Sequence, residues 1–172
     1  MFQNPEIELE ALPGLDDLDW QDLHPHFKRR LRAQFAIVIV IVAAAFAIPT
    51  FVPGVPVIVI VLLWSAFVII ATALMIWPAI AVPRRGYVVR DKDIIFRSGV
   101  IWRSVTAIPF NRIQHVETSS DPLDRKFKLA TLQLFTAGGS GGDLKIDGLD
   151  ADTAEQLRTF ILRKAGASIE RA

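Results

Sequence analysis

Uncharged positions fill the chain from Ala33 to Pro83, a stretch without Asp, Glu, Lys, Arg or His. A helix needs about 20 apolar residues to cross a hydrocarbon core of roughly 30 Å, and this stretch holds two such segments, residues 33–51 and 57–77. The Pro- and Gly-containing sequence VPGVP between them favours a reversal of the chain. A soluble domain of this size has no room to enclose two helices that are apolar on every face, and a signal peptide starts nearer the N-terminus. The pattern therefore predicts a two-helix transmembrane hairpin within residues 27–83.

Basic residues lie just before and just after this hairpin, whereas its tip carries no charge. They are Lys28, Arg29, Arg30, Arg32, Arg84 and Arg85. Loops rich in Lys and Arg stay on the cytoplasmic side of a membrane, so we expect both termini to be cytoplasmic. We also expect these six residues to act together at the membrane surface, where each gains about 1 kcal/mol from anionic lipid. We call them the basic collar.

The segment 1–26 is predicted to be an acidic cytoplasmic tail. Seven Asp and Glu residues precede residue 23, and this charge keeps the segment away from an anionic membrane. A solvated, partly disordered tail is the favoured interpretation. The apolar positions between Leu15 and Leu23 leave open a short amphipathic turn that contacts a partner.

After Arg85 the pattern changes to short alternating segments, and residues 84–172 are predicted to form a separate domain. The segments are rich in β-branched and aromatic residues and are separated by Gly, Asp or Pro, as in antiparallel sheets. Apolar residues then recur at helical spacing from Ala154 to Ala165, and Gly166 is expected to end this helix. The helix should close a β-barrel or a curved sheet.

Composition excludes several classes of function. The 172-residue chain carries 19 basic and 18 acidic residues, so there is no overall field to attract nucleic acid. The chain contains no cysteine, which excludes disulfides, thiolate catalysis and cysteine-based zinc sites. His24 and His26 have no third ligand nearby, so we expect no metal and no cofactor.

Three segments carry a family resemblance: GYVVRDKDIIFRSGVIWR, IPFNRIQHVE and DPLDRKFKLATLQLFTAGG, with DGL before the last helix. From Gly86 to about Lys164 the sequence resembles the bacterial pleckstrin-homology-like domain found in small membrane proteins of the YdbS-like family. The resemblance implies an α+β fold on a membrane α-helical hairpin: an antiparallel β-barrel of pleckstrin-homology type, closed by a C-terminal helix. It also places the chain in the bacterial cytoplasmic (inner) membrane as a multi-pass protein.

The motif residues of this resemblance are expected to be structural. They are Pro109, Arg112, Ile113, Gln114, Pro122, Arg125 and Gly138. Lys128 stands where such domains often carry Gly, so we expect the corner there to be built differently.

A catalytic interpretation of His115, Ser119 and the neighbouring Ser120 and Asp121 fails on distance. A serine nucleophile needs a base within hydrogen-bond reach, and two residues four apart on one strand are about 13 Å apart. No hydrolase elbow or metalloprotease helix motif is present either. We therefore expect no catalytic residues and no enzymatic activity.

Two binding functions remain. The first is a membrane-anchored interaction or scaffold module that binds other membrane proteins, a pleckstrin-homology-like relative, or copies of itself as a homo-oligomer. The resemblance favours this function, because such proteins often occur with a larger relative that repeats the domain. The alternative is recognition of anionic lipid headgroups. Arg90 and Lys92 in the first hairpin alternate with Asp91 and Asp93, which cancels much of the field that a headgroup would need.

Overall fold

A computed structural model describes residues 18–51, 53–136 and 144–169. The helices are α1 (His26–Ala47), α2 (Val57–Ala81), α3 (Pro122–Lys126) and α4 (Ala151–Ile169). The strands are β1 (Gln21–Asp22), β2 (Gly86–Val89), β3 (Asp93–Ser98), β4 (Ser104–Pro109), β5 (Ile113–Ser119), β6 (Leu129–Thr136) and β7 (Leu144–Asp150). Short 3-10 turns lie at Ile48–Phe51, Val82–Arg84 and Phe110–Arg112.

The helices α1 and α2 lie side by side and expose apolar side chains along their length. Phe46 of α1 packs against Phe67 of α2 with ring centroids 5.5 Å apart. The most apolar part of each helix contains no buried residue, and its mean hydropathy is 2.4 in the first helix and 2.9 in the second. Apolar faces that no other element covers indicate a lipid environment rather than the core of a soluble protein.

Both helices extend beyond the predicted spans at the end that carries the domain. The first helix already begins at His26, and the second continues through Pro78 to Ala81. Pro78 interrupts only its own hydrogen bond, since the backbone N–H of Val82 still donates to the Pro78 carbonyl. At about 1.5 Å per residue, both helices are longer than a hydrocarbon core of roughly 30 Å. Their domain-side ends therefore reach beyond the hydrocarbon core.

The strands form two antiparallel sheets. The first has the order β1-β2-β3-β4 and the second the order β5-β6-β7. Among the described strands no ladder joins the two sheets, so the fold is a pair of open sheets and the predicted closed β-barrel is not observed. One backbone hydrogen bond of 3.0 Å, from the N–H of His24 to the carbonyl of Gly148, links the segment after β1 to β7.

The hydrophobic core includes side chains from both sheets and from α4. Its most deeply buried members are Ile94, Leu129, Leu132, Leu134, Ile146, Leu149 and Ile161. Ala154, Ile161 and Ala165 are buried on one face of α4, as the helical spacing predicts. The helix continues past Gly166 to Ile169, so the predicted end at Gly166 is wrong.

Residues 18–25 belong to the folded domain and not to a solvated tail, which corrects the predicted tail of residues 1–26 in this part. Within this segment β1 pairs with β2, and Leu23 lies in the core with 5% of its surface exposed. The guanidinium carbon of Arg97 lies 4.3 Å from the ring centroid of Trp20. Asp19 and Asp22 are exposed to solvent, whereas Leu23 packs in the core and Trp20 packs against Arg97. Residues 1–17 lie outside the described part of the chain.

The corner between α3 and β6 is formed by Lys128, whose φ is +56°. Its N–H donates to the carbonyl of Arg125 at 3.2 Å, and its own carbonyl accepts from the N–H of Ala151 at 3.2 Å. Lysine thus adopts the left-handed conformation that glycine adopts without steric cost. The expectation that this corner is built differently from that of relatives with glycine stays a prediction.

Replacing Lys128 by Gly should stabilise the protein by about 0.5–1 kcal/mol. A left-handed non-glycine residue costs roughly 1–2 kcal/mol, and the greater chain entropy of glycine in the unfolded state offsets part of that gain. Thermal unfolding of the full chain in detergent measures the effect. The control Lys126→Gly, at the last residue of α3, should destabilise by up to about 1 kcal/mol. A Lys128→Gly protein that melts no higher than the parent would contradict the argument.

Candidate functional site

The first turns of α1 are fastened to α3 by one arginine. Arg30 Nε donates to Asp124 Oδ1 at 2.8 Å, and Arg30 Nη2 donates to Asp121 Oδ2. The side chains of Arg30 and Asp124 are only 14% and 10% exposed. A guanidinium suits this position because its planar fork of donors engages two carboxylates at once. We call Arg30, Asp121 and Asp124 the arginine latch.

The two carboxylates of the latch are positioned by the start of α3. Asp121 is the N-cap, and its Oδ1 accepts from the backbone N–H of Asp124 at 2.6 Å. In return, Asp124 Oδ2 accepts from the backbone N–H of Asp121 at 3.3 Å. Each carboxylate therefore uses one oxygen for the capping box and the other for Arg30.

The same contacts hold the pKa of Asp121 below its ordinary value of 3.8. The main cause is the hydrogen bond from the Asp124 backbone N–H, and the nearby Arg30 charge adds to it, while partial burial opposes both. A carboxyl whose pKa is lowered on folding stabilises the fold above its unfolded pKa. This contribution is lost as the pH falls through the lowered value.

Phe27 forms a second contact between α1 and the domain, three residues before Arg30. A Cβ added at Gly148 would lie 2.3 Å from Phe27 Cγ, so only glycine lets this ring approach β7 so closely. Gly148 also has a φ of +76°, which disfavours any side chain there. The guanidinium carbon of Arg85 lies 5.9 Å from the ring centroid of Phe27. The motif DGL is therefore the docking surface for the base of α1.

A cleft of about 600 Å³ lies between the base of α1 and β7. Asp147 receives three polar groups there: Arg85 Nη1 at 3.7 Å, Lys145 Nζ at 3.4 Å and the Thr131 hydroxyl at 3.3 Å. The cations of the cleft are thus matched by carboxylates. The described residues include no group of three or more metal-ligating side chains suited to an ion.

The basic collar is divided by these contacts. Arg30 belongs to the latch, Arg85 faces Asp147, and Arg84 Nη1 donates to the carbonyl of Ile80 at 2.7 Å. The other members are Arg29 and Arg32, which are exposed, and Lys28, which is half-buried. Sequence reasoning missed the latch because Asp121 and Asp124 lie 91 and 94 residues away from Arg30. The aspartate pair in SDPLD, typical of a capped short helix, was the available signal.

His115 lies exposed on β5, beside Glu117 and Phe135. Its Nε2 is 3.0 Å from Glu117 Oε1, and its ring centroid is 5.6 Å from that of Phe135. Ser119, at the end of the same strand, instead lines the cleft beside Asp121.

The motif residues around β5 line a second groove, of about 760 Å³, against α4. Ile113 is buried, whereas Arg112 and Gln114 are exposed. The opposite wall includes Leu162, with 40% of its surface exposed, and Gly166. We call this feature the α4 groove.

The remaining motif residues lie at the end of β4, around α3, or outside the described residues. Pro109 is the last residue of β4, and Pro122 is the first of α3, where a missing N–H costs nothing. The carbonyl of Arg125 accepts from Lys128. Gly138 lies outside the described residues.

Two ion pairs lie at the turn between β2 and β3. Arg90 Nε donates to Asp93 Oδ1 at 2.6 Å, which raises the pKa of Arg90. Lys164 Nζ donates to Asp91 Oδ1 and lowers the pKa of Asp91. The pairing extends from the turn to the end of α4.

Comparison with known proteins finds a family model that covers most of the chain and a relative that covers part of it. The family model described as a bacterial PH domain matches residues 34–165. A transmembrane protein of Bacillus subtilis (strain 168), YdbS, is 35% identical over 79 residues, which cover 46% of this chain and 48% of that protein. The match thus spans about half the length of the relative. No solved structure matches this chain significantly.

Replacing Arg30 by Gln should destabilise the protein by about 2 kcal/mol, because two carboxylates in a partly buried site lose a charged donor. Thermal unfolding of the full chain in detergent measures the loss. The neighbouring exposed residue gives a matched control, and Arg29→Gln should change the stability by less than about 0.5 kcal/mol. Equal effects of the two substitutions would show that the latch contributes nothing specific.

Proposed function

The chain belongs to the bacterial PH domain family, and on this premise we propose that it is a membrane-anchored scaffold that binds another membrane protein or a further copy of itself. The hairpin would sit in the bacterial cytoplasmic membrane with both termini and the domain on the cytoplasmic side. The distribution of Lys and Arg around the two helices supports this orientation.

The observation that carries the proposal is the rigid attachment of the domain to the hairpin. The arginine latch and the contact between Phe27 and Gly148 fix the base of α1 on two sides of the domain. The helix then continues from these contacts into the apolar segment without a break. A domain held in one orientation binds a neighbour in the same membrane at a lower entropic cost than a tethered one.

The surface we assign to the partner is the α4 groove. It combines an apolar wall at Leu162 with exposed polar side chains of Arg112 and Gln114, which suits recognition of a protein segment. The contact between Lys164 and Asp91 places this end of α4 beside the β2–β3 turn. That turn lies at the end of the first sheet remote from α2, so the groove faces away from the bilayer.

We propose no catalytic role. The hydrogen bond between His115 and Glu117 and the paired charges of the cleft both support a structural use of the polar residues. Lipid recognition by the β2–β3 turn is not favoured, because Arg90 and Lys164 are matched there by Asp93 and Asp91.

Reporter fusions at residue 5 and residue 172 should both report a cytoplasmic location, because the basic collar lies on one side of the hairpin. Paired reporters that are active on opposite sides of the membrane measure this directly. A control fusion at the tip, after Gly54, should report the opposite side. A periplasmic signal from either terminus would overturn the orientation.

A photo-crosslinking residue at Gln114 or Leu162 should give discrete adducts in intact native membranes, because both positions line the α4 groove. The control is Gln156, which is exposed on α4 but lies outside that groove. Adducts at position 114 and at position 162 would support the proposal. The adduct at position 114 should also disappear when Leu162→Asp is introduced into the same protein. Equal adducts at all three positions, or none at the groove, would overturn it.

A further inference from the structure

The loop between β3 and β4 lies at the end of the first sheet that faces the membrane. β2 begins directly after α2 and runs away from it, so the antiparallel β3 returns toward α2. The register places Gly86 opposite Arg97, and Ser98 opposite Ser104. Residues 99–103 therefore lie beside the point where α2 leaves the bilayer.

This loop exposes two large apolar side chains. Ile101 is 75% exposed and Trp102 is 83% exposed, more than any other large apolar side chain in the described part of the domain. The loop is held in a tight turn by Gly99, which has a φ of +106°. A Cβ at this glycine would lie 1.7 Å from the carbonyl oxygen of Trp102. The turn therefore has a defined shape that presents Ile101 and Trp102 outward.

A small pocket of about 290 Å³ lies next to the loop, and it is rich in cations. Its lining includes the three arginines Arg84, Arg97 and Arg103 and the hydroxyls of Ser98 and Ser104, and none of its described lining residues is an Asp or Glu. The Nε of Arg97 is buried and has no hydrogen-bond acceptor in the described part of the chain. The guanidinium groups of Arg84 and Arg103 are exposed, and phosphate oxygens suit such a planar donor group well.

We propose that this pocket and the β3–β4 loop together bind anionic phospholipid of the same bilayer that holds the hairpin. The lipid phosphate would occupy the arginine pocket, while Ile101 and Trp102 would insert between headgroups. Trp is the residue type that belongs at that depth. The charge complements an anionic surface, and the pocket is continuous with the membrane helices through Pro83 and Arg84. A free phosphate ion has no apolar group that could contact Ile101 and Trp102, whereas a bilayer does. This favours a lipid as the source of the phosphate.

This site is separate from the α4 groove and does not depend on the scaffold function. It differs from the β2–β3 turn in location and in charge, because that turn lies at the opposite end of the sheet and carries Asp91 and Asp93, which pair with Lys164 and Arg90. It also differs from the cleft beside α1, where Asp147 offsets the cations.

The depth of the loop tests the apolar half of the proposal. The chain has no cysteine, so Ile101→Cys in the full-length protein carries a single environment-sensitive fluorophore. In nanodiscs containing phosphatidylglycerol, this label should be shielded from iodide and quenched by lipid-borne nitroxide. The control is Lys92→Cys with the same label at the β2–β3 turn, which should show the reverse. Equal iodide quenching at both positions would overturn the proposal.

The headgroup dependence tests the arginine pocket. Replacing phosphatidylglycerol by phosphatidylcholine should increase iodide quenching of the residue-101 label, and inorganic phosphate added to the phosphatidylcholine discs should not reverse this change. Arg103→Gln and Arg84→Gln should each reduce about fivefold the protection from iodide quenching that phosphatidylglycerol gives to the residue-101 label. These two exposed residues are chosen because Arg97→Gln also removes the contact with Trp20.

The matched control for charge is Arg163→Gln, at the end of α4 remote from the bilayer, which should leave the lipid response unchanged. An equal response in phosphatidylcholine discs, rescue by inorganic phosphate, or equal losses in all three variants would each overturn the assignment to anionic lipid.

Discussion

The attachment of α1 to the domain is the interaction on which the rest of the structure depends. Phe27 and Arg30 are three residues apart, so they lie on one side of the helix and enter the domain together. One fills the space left by a glycine on β7, and the other joins two carboxylates that already cap α3. Because these two contacts differ in chemistry and lie on different elements, the helix can neither rotate nor tilt without breaking one of them. The two contacts therefore oppose both rotation and tilting of the hairpin relative to the domain.

This attachment gives the two ends of the first sheet different surroundings. The end near α2 carries the β3–β4 loop and the arginines of its pocket, whereas the opposite end carries the β2–β3 turn and contacts α4. A flexible linker would expose both ends to the same average environment. A fixed domain instead keeps each end in its own surroundings, as the lipid site and the partner groove that we propose would require.

The sequence predicts the elements well and their long-range partners poorly, and the reason is physical. The absence of charge from Ala33 to Pro83 and the alternation after Arg85 are local signals, so the hairpin, the strands and α4 follow from them. Whether two sheets close into a barrel depends on edge pairing, which no local pattern encodes. In residues 18–25 the acidic composition suggests a solvated tail, yet Leu23 enters the core and Trp20 packs against Arg97. Both contacts are made with parts of the chain that are distant in sequence, so no local pattern predicts them. The latch escapes prediction for the same reason, since only the folded chain brings Asp121 and Asp124 to Arg30.

The polar sites close to the bilayer differ in how their charges are balanced, and this difference separates structural from binding roles. In the latch and the cleft, each cation meets carboxylates of the same chain, so the cost of removing both charges from water is offset within the protein. Such a site gains little from an added ion. The arginine pocket has no carboxylate among its described lining residues, which is why we propose that the phosphate of an anionic lipid occupies it. The distribution of carboxylates, rather than that of arginines, therefore determines which basic residues hold the fold together and which remain available to lipid.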